Sequence, residues 1–392
     1  MNYNLALPDT ETLLIAEATN LANARSAQTA LGPMGNALLN PYFPSTGGRP
    51  ERGPVPFWTA LYLVTQDQRS LDSMLANADA SAAVPIHHRD ETTGHPIDLD
   101  THPKASLKSG TSVPAVPKAT DSTIWSPDIA HQSSFTYVPY LVTGDAFYLE
   151  GMLFWSAYNM MSLNPEYRQG TLGIIEPTEV RGQAWAMRSL WEVHTALPDS
   201  HPRKAYHAKR LANNLNFYAS TYVADNPLIS PLGMVVSGQT GGGDVAPWQN
   251  DFMALTWSLM AENNEPNAKV FLDWIGRFTV GRFVSDQAGF CAATAAGYYW
   301  KPKDANGNFF SSLKSLYDVN FPTIVNTPCE QVLPPNTDCA ECYPGIAMAM
   351  LAAAKNANVT NAGAGYDRWY KMNPNNVKAL AKDPRWSIVP RP

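Results

Sequence analysis

The chain is short of several things, and each shortage closes off a class of protein. Four cysteines in 392 residues are too few for a scaffold built on disulfides. No uncharged apolar run reaches 18 residues, so no segment reads as a membrane-spanning helix. Positive charge is in deficit: 28 Lys and Arg stand against 34 Asp and Glu, a net charge of −6. A nucleic-acid or anionic-membrane partner therefore has no electrostatic footprint. The opening "MNYNLALPDTETLL" lacks the basic and apolar regions of an export signal. Also missing are H-E-x-x-H, G-x-x-x-x-G-K-[ST], G-x-S-x-G and a G-x-G-x-x-G after a strand. "TGGGDVAPW" is rich in glycine but has no P-loop lysine, and reads as the rim of a cavity. No pattern of alternating strands competes with the helical one.

What remains is a globular composition, 45% apolar and 11% aromatic, with an internal repeat. Residues 57–75, "FWTALYLVTQDQRSLDSML", align at constant offset with 135–153, "FTYVPYLVTGDAFYLEGML". Each copy reads as an apolar helix, a tight turn ending in Asp67 or Asp145, and a second helix that the aspartate caps. Looser copies follow: a third turning at Asp199, a fourth in "PWQNDFMALTWSLMAENNEPNAKVFLDWIGRFTV", a fifth in "DQAGFCAATAAGYYW" with "FFSSLKSLYDVNF", and a sixth in "YPGIAMAMLAAAKNA" with "GAGYDRWYKMN". First arms are apolar nearly all round and second arms carry a polar face, the signature of inner and outer helices. Six such pairs predict an all-α (α/α)6 toroid over residues 1–373, with a helix over about Thr10 to Leu31 closing the ring. Pro56, Pro247 and Pro344 suit helix starts, whereas Pro139 should kink or shorten its helix. Residues 84–130 form a long connection, expected to be a lid or binding loop. Residues 374–392 read as an extended surface tail.

Inner helices that run parallel would gather their polar introductions on one face. These introductions hold Arg52, Trp125, Asp128, His131, Gln132, Glu176, Glu179, Arg181, Gln183, Trp185, Asp244, Trp248, Gln249, Asp251 and Tyr343. Arginine offers a planar fork for a carboxylate, glutamine bonds hydroxyl groups both ways, and tryptophan faces pack on sugar rings. Each of these types also has a plain structural use, the tryptophans as core and the aspartates as helix caps.

The string Arg181-Gly182-Gln183-Ala184-Trp185 resembles the "RGQAW" that introduces an inner helix in unsaturated glucuronyl hydrolases and related (α/α)6 glycosidases. The resemblance implies a sugar site near Arg181, Gln183 and Trp185. It covers five residues and carries no catalytic aspartate with it.

The function expected is cleavage of glycosidic bonds in an acidic, uronate-containing oligo- or polysaccharide. Hydrolysis needs two carboxyl groups, for which Asp128 and Asp251 come first and Glu179 next. Elimination would instead use Arg181 or Gln132 on the uronate carboxylate, His131 as base, and Tyr137 or Tyr343 as acid. Epimerase chemistry and sugar binding without cleavage are further alternatives. Trp125, Gln132, Arg181, Gln183, Trp185, Trp248, Gln249 and Arg52 are the expected substrate contacts. No cofactor and no metal are expected. Of Cys329, Cys339 and Cys342, two would form a loop disulfide, with free thiols as the alternative. Cys339-x-x-Cys342 lacks the second pair that a zinc site normally shows. The substrate class suggests an extracellular or periplasmic setting.

Overall fold

The computed structural model describes residues 1–27, 34–45, 47–108, 116, 123–224, 226, 228–236, 243–335 and 337–392. Among them the protein is all-α: thirteen α-helices and six short 3-10 turns, with β-structure confined to isolated bridges. No described helix is long and apolar enough to cross a membrane. The chain divides into two compact units, one of 9–177 with 185–214 and the other of 1–8, 178–184 and 215–392.

In the first of these, α1 (Thr10–Ser26) packs on α2 (Phe57–Thr65) and α3 (Gln68–Ala80), and α4 (Tyr137–Thr143) pairs with α5 (Ala146–Met161). The expected aspartate caps are present: Asp67 accepts from the Arg69 N–H and Asp145 from that of Phe147. Pro139 goes with a shortened helix, as expected: α4 starts at Tyr137, two residues later than its repeat counterpart, which leaves the proline in the first turn, where an N–H has no helical partner. The inner-outer assignment fails in this pair. Leu141 and Val142 of the first arm are exposed, while twelve of the sixteen residues of α5 are buried. A seven-residue helix has too little length to bury its own apolar face, and the longer second arm takes that place. α1 is also shorter than expected, ending at Ser26; 28–33 lie outside the described residues.

The connection 84–130 is not a free lid where it is described. Its part 96–100 is strapped to helix Lys204–Tyr222, which we number α7, and to Arg203 just before it. Asp98 pairs with Arg203 at 2.6 Å, Asp100 with Arg210 at 2.7 Å, and the Leu99 N–H donates to the Tyr206 hydroxyl. Burial alone would raise Asp98, but the bonds from Arg203 and Thr101 hold it down at about 2. Residues 109–115 and 117–122 lie outside the described residues. Helix α6 (Val180–Ala196) contributes its length from Trp185 onward to this unit.

In the other unit, α8 (Pro247–Glu262) pairs with α9 (Ala268–Thr279) and packs on α11 (Tyr343–Asn356), which pairs with α12 (Ala362–Met372). Here the first arms are the buried ones: Pro344 through Ala354 of α11 have almost no exposure. The fifth hairpin is only half formed. α10 (Leu313–Asn320) is a helix, but 286–300 makes 3-10 turns at Asp286–Ala288 and Ala292–Thr294. Gly289 sits at φ +84, where a helix cannot continue. The Asp286 carboxylate takes the Ala292 N–H at 2.8 Å, replacing a helical bond. The C-terminal segment is not a surface tail: α13 (Pro374–Leu380) is followed by buried Arg385, Trp386 and Ile388, and Ile388 bridges to Tyr3. All four cysteines are paired, Cys291 with Cys329 and Cys339 with Cys342, so there are two disulfides rather than one.

Candidate functional site

The second unit gathers five of the expected residues into one patch. Glu179 precedes α6 and Arg181 is in its first turn; Trp248 and Gln249 open α8, and Tyr343 opens α11. The Arg181 backbone N–H, one of the four a helix start leaves unpaired, donates to the Gln249 side-chain oxygen at 3.0 Å. The amide nitrogen of Gln249 reaches Glu179 at 3.4 Å, and Glu179 is ion-paired with the Arg181 guanidinium. That guanidinium lies 5.2 Å from the centre of the Trp248 ring, within cation–π range.

Two tyrosines that sequence reasoning passed over complete the patch. The Tyr298 ring is parallel to that of Trp248 within 4° at 6.5 Å, and Tyr343 lies 5.9 Å from Trp248 and 5.6 Å from Tyr298. Tyr299 adjoins Tyr298 at 4.1 Å. Tyr298 is 53% exposed, so this stack offers an open aromatic face beside a cation. A hydrogen bond to Tyr299 and then burial raise the Tyr298 hydroxyl above its ordinary value, with Arg181 acting weakly against them; burial also raises Tyr343. The Trp248 indole N–H is buried and makes no hydrogen bond to the described residues. The only signal for Tyr298 and Tyr299 in the sequence is the run "GYYW", whose surroundings read as the first arm of the fifth hairpin. It is instead brought in by the bridge that pairs Trp300 with Val245. Asp244, next to Val245, is half-buried.

Other expected residues have interior roles. Asp251 is buried and holds the Arg282 guanidinium through both oxygens, at 2.5 and 2.6 Å. Burial pushes its carboxyl up against the pull of Arg282. It is buried with both oxygens engaged by Arg282, which corrects its place as a first-choice catalytic group. Gln183 is buried and accepts from the Tyr218 hydroxyl at 2.9 Å.

Eight residues expected in the site, Arg52, Trp125, Asp128, His131, Gln132, Tyr137, Glu176 and Trp185, belong to the first unit, where several serve packing. Trp125 is in an apolar cluster against Phe43, and Trp185 is buried under the Arg188 guanidinium at 4.6 Å. Arg52 donates to the backbone carbonyls of Phe43, Ser45 and Gly47, ordering its own loop. Gln132 is buried with its amide fully engaged: it exchanges bonds with Asn159, donates to the Ile129 carbonyl and accepts from Ser189. Such an amide has no capacity left for a ligand. His131 is hydrogen-bonded through Nδ1 to Asp128, whose other oxygen accepts the Ala130 N–H at 3.2 Å. Asp128 is expected for hydrolysis and His131 for the alternative elimination, and the structure joins the two in one hydrogen bond. The expectation that Asp128 and Asp251 flank one bond loses its second member to Arg282.

A buried carboxyl in this unit was overlooked. Glu192, four residues after Arg188 on α6, accepts from Ser134 at 2.7 Å and lies 3.7 Å from the Arg188 Nε. Burial raises it to about 7, more than Arg188 and Ser134 lower it. The spacing of Arg188 and Glu192 inside an apolar run was the available signal. Tyr137 is raised by burial and bonded to Thr195. No cluster of metal-ligating side chains exists among the described residues.

No known protein family, curated protein or solved structure matches the chain.

Proposed function

We propose that the protein is a carbohydrate-active enzyme that cleaves a uronate-containing saccharide, seated on the Trp248, Tyr298 and Tyr343 rings. The observation that carries this reading is the Arg181 guanidinium held beside an open aromatic stack. Sugar rings present C–H faces that pack on aromatic rings, and a uronate carboxylate matches the guanidinium fork. In an (α/α)6 toroid, the arrangement the repeat implies, these helix starts would line one mouth.

Elimination fits these residues better than hydrolysis. Hydrolysis needs two reactive carboxyl groups, and Asp251 is consumed by Arg282 while Glu179 is paired with Arg181. Elimination asks for a neutraliser and a proton pair. Arg181 would exchange its Glu179 partner for the uronate carboxylate, with Gln249 steadying the helix start that carries it. Tyr298, held protonated, would donate to the Tyr299 oxygen, and Tyr299 as its phenolate would take the C5 proton. The C–H electrons then form the C4–C5 double bond as the C4–O bond breaks, and Tyr343 would protonate the departing oxygen. The paired cysteines and the substrate class both favour an oxidising compartment.

The test is incubation with a panel of uronate polysaccharides, following reducing ends and the ultraviolet absorbance of an unsaturated product. Reducing ends with new absorbance support elimination. Reducing ends alone would assign hydrolysis, and an inactive protein that also fails to bind any of the panel would overturn the reading.

A further inference from the structure

The two disulfides differ in kind. Cys291–Cys329 joins residues 38 apart, and Cys291 is buried. Cys339–Cys342 closes a four-residue turn, and both of its cysteines are half-buried. Cys342 is the N-cap of α11, a helix of fourteen residues, and its carbonyl accepts the N–H groups of Gly345 at 2.9 Å and Ile346 at 3.1 Å. A thiolate released at that position would sit at the positive end of the helix, which lowers its pKa and stabilises the reduced form. A short disulfide also removes little freedom from the unfolded chain, so the fold depends on it weakly.

The turn it closes is clamped on both sides. The Asn376 amide donates to the Cys339 carbonyl at 2.6 Å, and Glu341 is paired with buried Arg385 at 2.9 Å. The Ala340 carbonyl lies so close to α11 that a Cβ on Gly345 would stand 1.9 Å from it. The next residue is Tyr343, whose ring meets Trp248 and Tyr298. The disulfide is therefore one bond of backbone away from the aromatic patch.

We propose that Cys339–Cys342 is a reducible disulfide that sets the position of Tyr343, opened by a dithiol reductant. A thiolate of the reductant attacks the Cys339 sulfur, the S–S bond breaks, and Cys342 leaves as the thiolate stabilised by the helix. The second thiol of the reductant then attacks the mixed disulfide and releases Cys339. Two electrons and two protons pass to the protein, and the reductant becomes its own disulfide. The patch geometry enters this proposal; its saccharide chemistry does not.

The experiment equilibrates the whole protein in dithiothreitol buffers of graded reduced-to-oxidised ratio, alkylates free thiols, and maps the labels by mass spectrometry. Amide exchange is measured on the same samples. Cys339 and Cys342 should reach half-labelling at a ratio at least about tenfold lower than Cys291 and Cys329. Exchange should rise over 338–348 and stay unchanged elsewhere, and a Cys339→Ala/Cys342→Ala variant should show the same local rise without reductant. Simultaneous opening of the two disulfides, earlier opening of Cys291–Cys329, or a rise in exchange throughout the chain would overturn the proposal. Selective opening with unchanged exchange over 338–348 would overturn the control of Tyr343.

Discussion

Asp251 separates a structural reading of the carboxylates from a catalytic one. Its side chain and that of Arg282 are essentially without solvent contact, and the guanidinium also donates to the Ala295 carbonyl at 2.9 Å. It stands 4.9 and 4.8 Å from the rings of Phe278 and Phe283. Asp251→Asn removes the charge while keeping the shape, and leaves a buried guanidinium without a counter-charge. Breaking such a pair from one side costs about 3–5 kcal/mol. At about 2–4 °C per kcal/mol for a unit of this size, the melting temperature should fall by about 6–20 °C. Removing both charges should cost far less, because the desolvation of two ions disappears with their attraction. In calorimetry, Asp251→Leu/Arg282→Met should therefore recover most of what Asp251→Asn loses. A wild-type melting temperature for Asp251→Asn, with cleavage abolished, would refute the structural reading and restore Asp251 to the chemistry.

Three further outcomes are expected. Glu192 is raised to about 7 from 4.5, so the folded state keeps a proton the unfolded chain has lost. Its stabilisation is complete below 4.5 and fades as pH rises through about 7, an amount of about 3 kcal/mol. The difference in urea midpoint between the protein and Glu192→Gln, followed from pH 4 to 8, should show this slope; a flat difference would refute it. His207, held neutral by burial down to about 3, gives the opposite slope below its ordinary value, which is why the difference and not the single curve is read. Removing Cys291–Cys329 by paired serine substitutions should cost about 4 kcal/mol from loop closure, and removing Cys339–Cys342 about 2 kcal/mol, measured as denaturant midpoints under non-reducing conditions. Gly345→Ala must push α11 away from the Ala340 carbonyl, so it should destabilise by about 2 kcal/mol or more and lower saccharide affinity through Tyr343; unchanged stability and binding would show that the turn yields freely.

The sequence by itself determined the helical class, most helix positions and the aspartate caps, because these depend on local periodicity and on turns a few residues long. It also pointed to Glu179, Arg181, Trp248, Gln249 and Tyr343, since polar groups at the head of an apolar helix are visible in one dimension. Burial was decided only by the tertiary structure. Asp251 and Arg181 look alike as charges near helix starts, yet one meets Arg282 from thirty-one residues away and the other is left beside an open ring stack. The irregular segment 286–300 was illegible for a related reason: a disulfide partner at Cys329, the Asp286 carboxylate and the Trp300 bridge override a composition that reads as helix. Tyr298 and Tyr299 came to the patch by that same route. Cysteine pairing and the burial of 383–388 likewise depend on distances between residues far apart in the chain, which no local pattern records.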